Sequence, residues 1–183
     1  MGLYFDIYRN SLVKVIPLNV YYILGLVLII GSVLLLAIKG IREGWRVSVG
    51  LFLIAYISLL LCSTVVFRNE TAKRQYDFMP FWSYRSYFRG EDPSLLAEIV
   101  MNAVVFVPIG LLAGVAFRGM NWQKALMLGL GISVFIETTQ FIFMKGFSEL
   151  DDVMHNTIGC LIGYGIYRIL CCLITYKSLN NYK

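Results

Sequence analysis

Long apolar runs, each closed off by one or more basic residues, dominate the chain. Five of them are long enough to cross about 30 Å of hydrocarbon, which takes about 20 mostly apolar residues in a helix. They run from about Val20 to Ile38, Val47 to Phe67, Leu96 to Phe117, Ala125 to Met144 and Val153 to Tyr176. Lys39, Arg46, Arg68, Arg118, Lys124, Lys145 and Lys177 stand at their ends. Backbone groups in lipid must be satisfied within the spanning structure, so the pattern predicts helices rather than strands. The expected fold class is therefore all-α: a polytopic transmembrane bundle of about five spans, without a soluble domain. Most connections are short, which makes neighbouring helices antiparallel. The exception is Arg68 to Pro93, between spans 2 and 3. There Tyr76, Phe78, Phe81, Trp82, Tyr84, Tyr87 and Phe88 are interleaved with Arg74, Asp77, Arg85 and Arg89. This segment is too polar to span and too aromatic for an idle linker. It is expected to lie at the interface or re-enter over the bundle.

Composition supports the same reading. Hydrophobic residues make up 58% and charged residues 15% of the 183, against about a quarter charged in a soluble domain; the mean hydropathy is +0.71. The net charge of +5 does not point to nucleic acid. The basic residues sit at the ends of apolar runs, where they meet headgroups, and form no stripe that follows a phosphate backbone. Cys62, Cys160, Cys171 and Cys172 have neither zinc spacing nor the layout of a disulfide framework, and read as packing residues. Residues Met1 to Pro17 are interrupted by Asp6, Arg9 and Lys14. The apolar run after them is too long for a signal-peptide core, so it is expected to remain as a helix.

The Lys and Arg residues divide almost evenly between the two sides, eight with the N-terminus and long loop and seven opposite, with Arg168 inside the last span left out. The second group lies in short loops nearly free of acids, where the positive-inside rule is most dependable. The N-terminus and long loop are thus expected outside and the C-terminus in the cytoplasm.

Several polar residues interrupt the spans. Glu98 and Asn102 share a face of the third, and Ser133, Glu137 and Gln140 share a face of the fourth. Glu149, Asp151, Asp152, His155 and Asn156 mark the start of the fifth, after a turn with Gly146. At about 1.5 Å per residue, Asn102 lies about 9 Å from the start of its helix, Glu137 about 10 Å from the end of its own and Asn156 about 5 Å into the fifth. All three approach the face that bears the long loop. An ionisable group within a span costs about 2.5–3.5 kcal/mol on insertion scales and usually meets a partner or a wet cavity. A shared polar pocket is the expectation.

Each residue also has a plainer reading. Asn102, Gln140 and Asn156 can simply tie helices together at about 0.6 kcal/mol per bond. Asp151 and Asp152 suit any helix N-terminus. His155, the only histidine, lies near carboxylates, but one histidine is a weak metal signal, and no metal or cofactor is expected. Gly159-Cys-Leu-Ile-Gly163 is a GxxxG pattern for close helix approach. Pro108 within the third span is expected to kink it.

Taken in order, Arg74-x-x-Asp77-Phe-x-Pro80-Phe81, Glu98-x-x-x-Asn102-x-x-x-Phe106-x-Pro108-x-Gly110, Glu137-x-x-Gln140 and Asp151-Asp152-x-x-x-Asn156-x-x-Gly159-x-x-x-Gly163 resemble the VanZ-like family. The family is named for a membrane protein linked to teicoplanin resistance in Gram-positive bacteria. The resemblance covers roughly Cys62 to Ile169. It divides the chain into an N-terminal segment, 1–46, with an additional transmembrane helix, a VanZ-like domain, 47–176, and a cytoplasmic tail, 177–183. The chain departs from the pattern at Asp77, where the family usually has Asn, at Phe147, often Arg, and at Glu149, often Asp. The resemblance implies a cell-envelope role that lowers glycopeptide access, and it supplies no reaction.

Two functions use the same residues. A binder of a lipid headgroup, lipid-linked envelope precursor or glycopeptide would use Arg74, Asp77, Glu98, Asn102, Glu137, Gln140, Asp152 and Asn156 for recognition, with the aromatic loop as a lid. An enzyme on a lipid-linked substrate would use Glu137 as acid or base, assisted by Asp151 and Asp152. The binder is preferred, because no nucleophile or metal set is evident. A transporter is disfavoured, because there is no internal repeat and the polar groups keep to one half of the membrane. The sequence sets no oligomeric state.

Overall fold

The computed structural model describes residues 44–180. The span expected from Val20 to Ile38 and the final three residues lie outside them. Four helices in the described part are long and apolar enough to cross a membrane: α1 (Gly44–Val66), α3 (Leu95–Ala116), α4 (Trp122–Phe143) and α5, whose apolar part is Leu150–Lys177 within Leu150–Asn180. The long connection holds a short strand β1 (Gln75–Asp77) and a helix α2 of about two turns (Trp82–Phe88); a second strand, β2 (Phe147–Glu149), leads directly into α5. The fold is that of a helical membrane bundle. Its lipid-facing surface carries side chains such as Ile54, Val104, Phe135, Ile162 and Ile174, all exposed in the isolated chain.

Two elements go beyond an all-helical reading. β1 and β2 pair in parallel, with Gln75 opposite Phe147, Tyr76 opposite Ser148 and Asp77 opposite Glu149. This pins the long connection to the turn before α5. The last turn of α1, Cys62–Val66, is π-helical. Its loosened carbonyls find partners on α4 and the turn after it: Gln140 Nε2 donates to the Thr64 carbonyl (3.1 Å) and Lys145 Nζ to that of Val66 (3.2 Å).

The core joins Leu53 and Leu60 of α1, Phe106, Ile109 and Ala113 of α3, Ile136 of α4 and Cys160 of α5. The closest approach is between α3 and α5. A Cβ on Gly159 would collide with the Ala103 carbonyl, one on Gly163 with that of Val107 and one on Gly110 with that of Cys160. The GxxxG pattern thus brings backbone against backbone, as small residues do in membrane helix pairs. Because 103 meets 159 and 107 meets 163, the two helices run in the same direction, and both begin at the end of the bundle that carries β1 and α2. Helix α3 continues unbroken through Pro108. One turn before it, the Tyr56 hydroxyl of α1 donates to the Val105 carbonyl (2.8 Å).

Candidate functional site

The close α3–α5 seam decides which polar groups meet at the loop end. Asn102 of α3 reaches across it, and its Nδ2 donates to Asp152 Oδ1 at 2.6 Å. From α4, Glu137 Oε2 accepts the Glu149 backbone N–H at 2.9 Å. The Ser148 hydroxyl donates to the Glu137 carbonyl at 3.1 Å. Glu137 and Glu149 are only 7% and 5% exposed. The carboxyl of Glu149, which lies outside the spans, is pushed up to about 9, mainly by burial and then by the negative charges of Asp152, Glu98 and Glu137. Four carboxyl groups from three helices and β2 therefore form one cluster.

Positive charge comes from Arg68, just beyond α1, whose field reaches both Glu137 and Asp152. Its guanidinium lies where a side chain on Gly146 would have to sit. Gly146 also has φ +97°, so its backbone conformation calls for glycine, and any side chain there would displace the guanidinium.

Helix α2 covers this end. Its own N-cap residue, Phe81, supplies no side-chain cap and sits in the left-handed region at φ 62°, which is costly for an aromatic residue. Asp151 of α5 caps it instead. Oδ1 accepts the Phe81 N–H (2.6 Å), and Oδ2 accepts the Ser83 N–H (3.0 Å) and the Ser83 hydroxyl (2.6 Å). The residues on either side are clasped to the same segment. Trp82 Nε1 donates to Glu149 Oε2 (3.1 Å), and the Tyr84 hydroxyl lies 2.9 Å from His155 Nε2. The Tyr84 hydroxyl is held above its ordinary value by burial and then by the charge of Asp151.

The residues singled out from sequence thus divide into groups. Glu98, Asn102, Glu137 and Asp152 converge. Asn156 forms a separate clamp one layer deeper, donating to Ser133 Oγ at 2.8 Å. Gln140 ties α4 to α1. Asp151, a candidate acid or base, has both oxygens engaged as the cap of α2. Arg74 stands away from the cluster, whereas Asp77 lies opposite Glu149 in the strand pair with its carboxylate engaged in a local hydrogen bond. Arg74 is exposed over the Phe141 ring, 5.3 Å from its centre, and Asp77 Oδ1 accepts the Met79 N–H (2.8 Å) in a local turn. Sequence reasoning did not assign Arg68, Glu149, Ser83 or Tyr84 to the site. Arg68 had the position of an ordinary helix-end charge. Only the run Glu149–Asp152 hinted that Glu149 joins its neighbours. Among the described residues, no group of three or more His, Cys, Asp or Glu side chains has the geometry to hold a metal ion.

A family model described as VanZ/LLP1 matches residues 51–171, a stretch that contains the whole cluster, its arginine and α2. The chain belongs to the VanZ/LLP1 family. Over 115 residues it is 28% identical to Protein VanZ of Enterococcus faecium, an alignment covering 61% of this chain and 68% of that one. No solved structure matches the chain. The VanZ/LLP1 match and the four apolar helices together make this a membrane protein of that family.

Proposed function

We propose that this protein is a non-catalytic binder in the bacterial cell membrane. It holds a lipid headgroup, a lipid-linked envelope precursor or a glycopeptide at the outer-leaflet end of the bundle, and so lowers susceptibility to teicoplanin-type glycopeptides. The observation that carries the reading is the convergence of Glu98, Asn102, Glu137, Glu149 and Asp152 beneath α2, with Arg68 at their side. Such a mixed set offers carboxylates to an amine, an amide to a carbonyl and a guanidinium to an anion. Similarity to a protein named VanZ supports the glycopeptide part. The loop end faces out in this reading, because the opposite end carries Arg46, Arg118, Lys124 and Lys177 with Glu43 as the one acidic residue near them in sequence.

A membrane-embedded enzyme is the second reading, with Glu137, Asp151 and Asp152 as acid–base residues. It is favoured by the proton that Glu149 retains at neutral pH beside other carboxylates, an arrangement that suits proton transfer. The triple engagement of Asp151 weighs against it. The test is glycopeptide susceptibility of a susceptible Gram-positive host expressing this protein or its Glu137→Gln variant at matched membrane abundance. Binding predicts protection that weakens by degrees in the variant, and acid–base catalysis predicts its near-complete loss. Absence of protection with both proteins removes the resistance reading.

A further inference from the structure

Glu137 and Glu149 are buried, Glu98 and Asp152 half-buried, and α2 lies over this end, hydrogen-bonded to Glu149 through Trp82. We propose that α2 is a gate, held shut by the successive pairs Trp82–Glu149, Ser83–Asp151 and Tyr84–His155, and that a ligand reaches the buried Glu137 and Glu149 only when α2 lifts. The inference rests on the binding reading above.

Three features single out α2 as the part that moves. With seven residues it is too short to hold its helix alone, since isolated helices below about 12–15 residues are marginal in water. Its hydrogen-bonded attachments to β2 and α5 are polar pairs, which water or headgroups can replace on opening, whereas the spans separate only by losing apolar and backbone packing. Its closed form also carries a left-handed Phe81, a conformation that persists only while its surroundings impose it. The opposite face of α2 and the residues leading into it are already exposed: Met79, Phe81, Arg85 and Phe88 point away from the bundle.

The test uses the full chain in vesicles of phosphatidylglycerol and phosphatidylethanolamine, with no ligand added. Hydrogen exchange is followed for residues 81–88 and for the spans. A Ser148→Cys reporter at the buried β2 position is labelled with a membrane-impermeant maleimide and read on its own peptide by mass spectrometry. Asp151→Asn is expected to speed exchange across 81–88 at least tenfold with the spans unchanged, and to raise labelling at 148 by a similar factor. If Asp151→Asn does not fold, Ser83→Ala and Tyr84→Phe each remove one clasp bond and are expected to give the same changes to a smaller degree. Unchanged exchange at 81–88, or labelling at 148 as fast with the clasp intact as without it, overturns the gate. Neither readout depends on glycopeptide protection, so the gate and the binding reading fail separately.

Discussion

The α3–α5 seam and the loop-end junction lie on the same two helices and hold together by opposite means. In the seam, Gly110, Gly159 and Gly163 let backbone touch backbone, and the contact is one of shape. At the junction, Asn102, Asp151, Asp152 and Glu149 meet their partners through hydrogen bonds and charge. Shape tolerates no added atom, but asks nothing of protonation or solvent. The junction accommodates small changes of form and responds to any change of charge. The difference separates position from chemistry: the seam fixes where Asn102 and Asp152 stand, and the junction determines what they do.

The seam breaks first. Gly163→Leu drives a side chain into the Val107 carbonyl. Overpacking typically costs about 1–3 kcal/mol, and a backbone obstacle that cannot rotate away places this case at the top of that range or above. The expected outcome is loss of monodisperse protein in detergent. Gly131→Leu, where nothing lies within 4 Å of the new Cβ, is expected to leave it intact.

The junction gives a pH signature that the seam lacks. Glu149 titrates near 4.5 when unfolded and near 9 when folded, so between these values the folded state holds a proton that the unfolded state has released. Its contribution to stability is whole below about 4.5 and is lost as pH rises through about 9. Melting temperature in detergent is expected to fall between pH 6 and pH 10, and Glu149→Gln to flatten that slope. A variant slope equal to the native one sinks this assignment.

The smallest effect is expected where the two regions grade into each other. Asn156→Ala removes the bond to Ser133, worth about 0.6 kcal/mol on average and at most about 1.7 in membrane helices. A double-mutant cycle with Ser133→Ala measures that coupling directly. A value above about 3 kcal/mol would place the pair in the working cluster rather than among the helix clamps.

The described spans were legible because each apolar run far exceeds the length of a soluble core element, and their observed bounds differ from the expected ones by only a few residues. Asn102 and Glu137 were legible for a related reason, since polar groups inside such runs stand out against their background. β1 and β2 were not, because three residues show no period. The work of Asp151 was hidden by distance: its partners Phe81 and Ser83 are 70 and 68 residues away, and an acid in a first turn looks the same whether it serves its own helix or another. Arg74 and Asp77 illustrate the converse. They belong to the family pattern, yet the fold uses one over an aromatic ring and the other in a local turn.

The wide turn that ends α1 sets a rotational phase. Each helical residue advances the chain by about 100°, so the extra residue in a π-turn determines the compass direction in which everything after it leaves the helix. Here that direction carries Arg68 toward Gly146 and the carboxylates. A chain one residue shorter between Cys62 and Val66 would keep its hydropathy and its span, yet turn Arg68 by about 100° from Gly146 and the carboxylates. A single codon there therefore governs the charge balance of a site built almost entirely by other helices.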